Sequence, residues 1–158
     1  MKTRLRTTLL PYIRAIAFAL VLFPVLSVGA GLAFAQDMVT VGSAWQNQRG
    51  SVMYIESVGP DGSFRGVFVN KAAGTYCQNT PYPMTGRTNQ SALAFVVNWK
   101  NGTEDCKSIT AWAGYISGGH MTTKWNLSVA GSTKPDQIMS GVDVFKPLAF
   151  EAHDSLMK

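Results

Sequence analysis

The feature that most constrains this fold is the succession of short alternating runs that fills the chain after Gln36. Apolar and polar residues alternate along each run, and no period of 3.6 residues is sustained over three turns. The pattern therefore predicts strands rather than helices. Eight strands are predicted, at residues 43–47, 51–58, 63–70, 82–89, 91–100, 107–117, 121–130 and 141–147.

The connectors between these strands are mostly short and rich in turn residues. "GPDG", "NQ", "NGTEDC" and "GGH" each favour an antiparallel hairpin between successive strands. Eight such strands lose their exposed edges if the first pairs with the last, which predicts an all-β, eight-stranded antiparallel up-and-down barrel able to hold one small ligand. The alternative is an open sandwich with long crossovers, for which only residues 71–81 and 131–140 have the length.

The first 35 residues have the composition of a secretory signal. Four basic residues occur within residues 1–14, an apolar run follows over residues 15–35, and it ends with the small-residue pattern Ala33, Phe34, Ala35. The alternative is an uncleaved membrane anchor, but Pro24 and the glycines of the run favour cleavage. We therefore expect a mature barrel domain over residues 36–147 and a tail over residues 148–158, in a secreted or periplasmic protein without a membrane segment.

Charge and cysteine content narrow the class further. The segment after residue 35 carries ten basic and nine acidic residues, so its net charge is +1 and no basic surface for nucleic acid is expected. Cys77 and Cys106 follow an export signal, which predicts one disulfide in an oxidising compartment. Two free buried thiols are the alternative.

Strand alternation predicts which side chains share the lumen. If Trp112 faces inward, Thr110 and Ser108 on the same strand must also do so. The same rule on the other strands predicts an inward set of Trp45, Asn47, Phe68, Asn70, Leu93, Phe95, Val97, Trp99, Thr123, Trp125, Leu127, Val129, Asp143 and Phe145. Trp45 is expected to fill the core at the closed end of the barrel.

The polar members of this set predict a ligand. A polar atom on the inner wall of a barrel loses water, at a cost of roughly 1 to 3 kcal/mol if it finds no partner. A single inward Ser108 or Thr110 is usually satisfied by a backbone group, and Asp143 alone is typical of a strand end. Several of them among indole rings instead match an apolar pocket with a few placed polar groups.

These residues resemble the avidins, a family of eight-stranded biotin-binding barrels, and look most like their dimeric bacterial members. The similarity covers residues 43–146. The motifs that carry it are "WQNQRGS" (45–51), "CQNTPYPMTGR" (77–87), "FVVNWKN" (95–101), "CKSITAWAGY" (106–115), "TTKWNL" (122–127) and "GVDVF" (141–145). The resemblance implies a secreted protein that binds biotin non-covalently with high affinity.

The resemblance also implies a role for each matching residue. Asn47 and Ser51 would donate hydrogen bonds to the ureido oxygen of biotin, and Asn70 and Asp143 would accept from its two N–H groups. The remaining implied contacts are Thr110 at the thioether sulfur, Ser108 and the backbone near Ala72 and Ala73 at the valerate carboxylate, and Trp99, Trp112, Trp125 and Leu127 around the ring. The dimeric members are also similar in their paired cysteines, here Cys77 and Cys106.

Two positions depart from the pattern of the family. Phe68 stands where a tyrosine usually gives a third donor to the ureido oxygen, and the loss of one such bond costs about 1.5 to 3 kcal/mol. Tetrameric avidins carry a tryptophan in the loop before the last strand, where this chain has "GSTKPDQIMS" and Pro135 or a neighbour at that place. The resemblance therefore implies a homodimer whose sites are complete within each subunit.

Other functions fit the sequence less well. The two histidines, His120 and His153, do not lie beside an inward Ser or Asp, so no enzyme is expected. The Cys and His residues have no metal-ligand spacing, and neither a metal nor a cofactor is predicted. The alternative is a secreted barrel that binds another small ligand, or an inhibitor that acts through its loops.

Overall fold

Eight antiparallel strands form one closed barrel in the computed structural model, which describes residues 38–131 and 137–148. The strands are β1 (Ala44–Asn47), β2 (Val52–Val58), β3 (Ser63–Val69), β4 (Pro81–Asn89), β5 (Ala92–Lys100), β6 (Asp105–Ser117), β7 (His120–Val129) and β8 (Ile138–Pro147). Each pairs with the next along the chain, and β8 pairs with β1. The predicted up-and-down barrel is confirmed.

The barrel closes through a short pairing between its first and last strands. Trp45 lies opposite Pro147 and Asn47 opposite Phe145, and the Leu148 N–H donates to the Ala44 carbonyl at 2.9 Å. Closure removes both sheet edges, so every strand has two neighbours. The part of the chain that the structure describes contains no helix long and apolar enough to cross a membrane.

The last strand begins earlier than the sequence suggested. β8 starts at Ile138 rather than residue 141, because its pairing with β7 continues to Ser128 opposite Ile138. The prediction that residues 138–140 belong to a connector was therefore wrong. The predicted signal segment and Pro135 lie outside the described residues, as does the tail after Leu148.

Alternation places the predicted apolar set in the barrel interior. Trp45, Phe95, Val97 and Phe145 are almost completely buried, and the segment before β1 adds Val39 to the same core. In an antiparallel meander, the connectors that follow odd-numbered strands all lie at one end. Residues 48–51, 70–80 and 101–104 therefore lie at the same end of the barrel, which is called the open end below.

Gly66 on β3 is a position where the backbone of the barrel approaches too closely for a side chain. A Cβ there would lie 1.8 Å from the Tyr54 carbonyl oxygen, beside the register shift between Ile55 and Ser57. We expect Gly66→Ala to lower the free energy of unfolding by about 3 kcal/mol, as severe overpacking does. Gly102→Ala is the control, because nothing lies within 4 Å of its added Cβ. Urea unfolding of both variants measures the difference, and equal stabilities would contradict the steric argument.

Candidate ligand-binding site

The first polar group at the open end is the Asn47 amide, which organises the tight turn between β1 and β2. The Asn47 side-chain oxygen accepts from the N–H groups of Arg49 at 3.0 Å and Ser51 at 2.9 Å, and Gly50 adopts a φ of 85°. Asparagine favours such turns because its side chain replaces a backbone acceptor. Since the turn uses the oxygen of this buried amide, its NH₂ group is the part that a ligand acceptor can use.

Ser51 connects this turn to the loop after β3. Its hydroxyl accepts from the Lys71 N–H at 3.0 Å and donates to the Asn70 side-chain oxygen at 3.4 Å. Asn70 in turn accepts from the Ala72 N–H at 3.0 Å and donates to the Thr75 hydroxyl at 2.8 Å. Asn70, predicted from the resemblance as a ligand acceptor, therefore also holds the loop in place.

The disulfide fixes the other side of the same loop. Cys77 and Cys106 are bonded, with Cα atoms 6.3 Å apart, which confirms the predicted bridge. Within the loop, Gln78 and the Thr75 hydroxyl both donate to the Ala72 carbonyl. The loop over residues 70–80 is thus tied to β6 covalently and organised internally by hydrogen bonds.

Both indole N–H groups in the centre of the lumen have polar partners. Trp99 donates to the Thr110 hydroxyl at 2.7 Å, and Trp112 donates to a carboxylate oxygen of Asp143 at 3.0 Å. All four side chains are buried. These bonds fix the two rings with their centroids 6.4 Å apart and their planes inclined by 64°.

Phe68 packs against both indoles. It stacks on Trp112 with centroids 5.1 Å apart and meets Trp99 edge-on at 5.7 Å, while Phe95 stacks on Trp112 at 4.8 Å. Offset and edge-to-face pairs of this kind stabilise an aromatic cluster beyond simple burial. Phe68 therefore supports the indole wall, although it has no hydroxyl to offer a ligand.

Tyr82 supports Trp99 from behind. It is fully buried, packs edge-on against Trp99 at 5.3 Å, and its hydroxyl is bonded to Glu104 and, at 3.0 Å, to Thr80. Burial, followed by the bond to Glu104, raises the pKa of the Tyr82 phenol above its ordinary value. The neutral phenol thus stays bonded at physiological pH.

The Asp143 carboxylate is the most enclosed charge of the site. Besides Trp112, it receives the Gln48 side-chain NH₂ at 3.2 Å and has the Arg49 Nε at 3.6 Å. Gln48 and Arg49 were not among the predicted site residues. They lie in a turn, where alternation gives no orientation, and the only signal for them was their place inside the quoted motif "WQNQRGS".

The remaining predicted residues line the outer part of the site. Trp125 and Leu127 are half-buried against the core cluster, and Leu127 pairs with Thr110 across β6 and β7. Ser108 is half-buried, Ala72 is buried and Ala73 is exposed. The structure therefore brings together the predicted polar and aromatic groups, with Ser108, Ala72 and Ala73 nearer the rim.

The geometry defines a class of protein: a closed eight-stranded barrel with amide, hydroxyl and carboxylate groups buried among indole rings at one end is a small-molecule binding barrel. The avidin family model matches residues 35–148. The chain belongs to the avidin family.

Individual relatives agree with this assignment. Afifavidin from Afifella pfennigii is 39% identical over 147 residues, which cover 84% of this chain and 91% of the relative. The crystal structure of apo shwanavidin superimposes with a TM-score of 0.66 at 45% identity, covering 70% of this chain and 98% of that one. The rhizavidin–biotin complex gives 0.65 at 44% identity, covering 70% and 93%.

The disulfide closes a loop between residues separated by 29 positions. Loop-closure entropy predicts that replacing both cysteines, as Cys77→Ser with Cys106→Ser, lowers the free energy of unfolding by about 3 to 4 kcal/mol. Urea unfolding with and without a reductant measures this loss. The double variant is its own control, because it should not respond to the reductant, and a stability equal to that of the oxidised parent would contradict the prediction.

Proposed function

We propose that this chain binds biotin non-covalently, with high affinity, at the open end of its barrel. The observation that carries the proposal is the buried Asp143 carboxylate, held by Trp112 within the same enclosure as the amide of Asn47 and the hydroxyl of Ser51. The relatives support it, since the rhizavidin structure is a complex with biotin, and so is a structure of short afifavidin.

The chemistry of the site suits a cyclic urea. Asn47 supplies an NH₂ to the ureido oxygen, and the Ser51 hydroxyl supplies an OH by turning to it from the Asn70 oxygen. Asp143 and the lone pair of Asn70 that this turn releases then accept from the two N–H groups. Donors at the oxygen and a carboxylate at a nitrogen polarise the urea towards a charge-separated form. Charge-assisted hydrogen bonds in a cavity without water are the strong kind.

Phe68 sets a limit on this polarisation. A phenylalanine gives no third donor to the ureido oxygen, and the missing bond corresponds to about one to two decades of affinity. Its stacking on Trp112 offsets part of the loss by keeping the wall of the site rigid. We therefore propose high affinity that depends more on Asp143 and the indoles than on the oxygen donors.

Asp143→Asn tests the proposal. The variant keeps the shape of the side chain but removes its charge, so we expect biotin affinity to fall about tenfold to a hundredfold. Asp61→Asn is the matched control, because Asp61 lies in the β2–β3 turn, at the other end of the barrel. Calorimetry with biotin measures both. Absence of binding by the parent protein would refute the function, and an unaffected Asp143→Asn variant would refute the assigned role.

We also propose that the protein forms a homodimer through the outer faces of β5 to β8. Away from the strand ends, the outward side chains there are Ala92, Ala94, Val96 and Asn98, Ile109, Ala111, Ala113 and Tyr115, Thr122, Lys124, Asn126 and Ser128, and Ile138, Ser140, Val142 and Val144. Lys124 is the one charge among these side chains, because Lys100, Asp105, Lys107 and Lys146 lie near the strand ends, and Ile109, Tyr115, Ile138 and Val142 are exposed. A wide face of small and apolar side chains is typical of a two-fold subunit interface.

Ala111→Arg tests this interface. Ala111 lies on β6 between Val96 and Asn126, so a bulky charge there should prevent close approach of a second barrel and give monomers. Ser57→Arg adds the same charge to β2, outside the proposed face, and should leave the dimer intact. Sedimentation velocity distinguishes the two species, and a dimeric Ala111→Arg protein would exclude this face.

We infer that the protein is exported and acts by binding rather than catalysis. The sequence of residues 1–35 and the disulfide both suit an oxidising compartment outside the cytoplasm. His120 lies at the start of β7, with its ring nitrogen 2.9 Å from the Gly118 carbonyl in the turn at the other end of the barrel. It is therefore remote from the polar groups of the open end.

A further inference from the structure

The β1–β2 turn is joined to β8 by two side chains that follow Asn47. The Gln48 amide donates to the Val142 carbonyl at 3.0 Å and accepts from the Val144 N–H at 2.9 Å. These two bonds replace a pair of backbone hydrogen bonds and continue the β1–β8 pairing beyond the end of β1. The turn is therefore held at a fixed distance from Asp143.

Arg49, on the same turn, contacts two residues of the ligand site. Its Nε lies 3.6 Å from an Asp143 carboxylate oxygen, and its Cζ lies 5.7 Å from the centroid of the Trp125 ring. The Arg49 side chain is 48% exposed, whereas that of Asp143 is 5% exposed. The guanidinium thus approaches a buried carboxylate from the solvent side.

The two contacts complete a set of restraints on Asp143 and Trp125. The other carboxylate oxygen is held by Trp112, while Trp125 lies against Gly141, where a Cβ would come within 2.4 Å of the ring. A buried carboxylate without a countercharge is costly, and an arginine over an indole face is attractive. Arg49 is the one cation that the described residues pair with Asp143.

We propose that Arg49 is a positioning residue of the ligand site, holding the Asp143 carboxylate and the Trp125 ring in the arrangement that receives the ligand. This inference rests on the proposed biotin function. The alternative is a solvated arginine whose contacts are incidental. The two explanations predict different results when Asp143 has lost its charge. A positioning residue must then lose its effect on binding.

A double-mutant cycle tests this dependence. Arg49→Met keeps the aliphatic stem and removes the charge, and we expect it to raise the dissociation constant and the off-rate of labelled biotin about fivefold. In an Asp143→Asn background the same change should alter both by less than about twofold. Arg49→Lys keeps the charge but not the planar head, so its effect should be intermediate.

Controls separate this effect from net charge and from general loss of packing. Arg65→Met removes the same charge from an exposed position on β3 and should leave the off-rate unchanged. Arg49→Met should also change the tryptophan emission of the protein, and this change should vanish in a Trp125→Phe background. Emission that changes equally in both backgrounds would remove Trp125 from the proposal.

The outcomes distinguish a failure of this inference from a failure of the proposed biotin binding on which it rests. If the parent binds biotin and Arg49→Met weakens binding equally in both backgrounds, or not at all, the positioning role is overturned. If the parent does not bind biotin, the proposed function fails first. Urea unfolding of the parent, the two single variants and the double variant then measures the Arg49–Asp143 contact. Additive losses of unfolding free energy would show that the two side chains are not coupled.

Discussion

The structure depends on one constraint, which is that a polar atom inside a closed barrel has lost its water and needs another partner. The open end meets this constraint with short local bonds. The Asn47 oxygen accepts from the N–H groups of its own turn, the Thr110 hydroxyl accepts from the Trp99 indole N–H, and the Asp143 carboxylate accepts from the Trp112 indole N–H. Each bond also fixes a side chain, so the groups left for a ligand are already oriented before it arrives.

Much of this could be predicted from sequence because strand alternation is a rigid rule. Once Trp112 is placed inside, Thr110 must follow it, and the structure buries both. The hairpin connectors likewise predict which strands are neighbours, and hence the closed meander. The identity of the bonded pairs could not be obtained in this way. The bond between Trp112 and Asp143 joins β6 to β8. Alternation assigns a face to each residue within one strand, and it does not predict which residues of two different strands will meet.

The features that sequence reasoning missed lie where periodicity ends. Gln48 and Arg49 occupy a turn, and a turn residue has no face assigned by the period of two. Asn70 follows the last residue of β3, so its bonds to Thr75 and the Ala72 N–H depend on the path of a loop. The early start of β8 has a similar cause. Ile138 is part of the strand because it pairs with Ser128 on β7, and the residues next to it in sequence do not indicate this.

Preorganisation explains how the site can contain so much polarity. Burying the Asp143 carboxylate is unfavourable by itself, but the protein surrounds it with the Trp112 indole, the Gln48 amide and the Arg49 guanidinium. The cost of desolvation is thus met during folding, together with the ordering of the turn and of the Cys77–Cys106 loop. A ligand that enters afterwards orders few side chains, and a larger share of its contacts contributes to affinity.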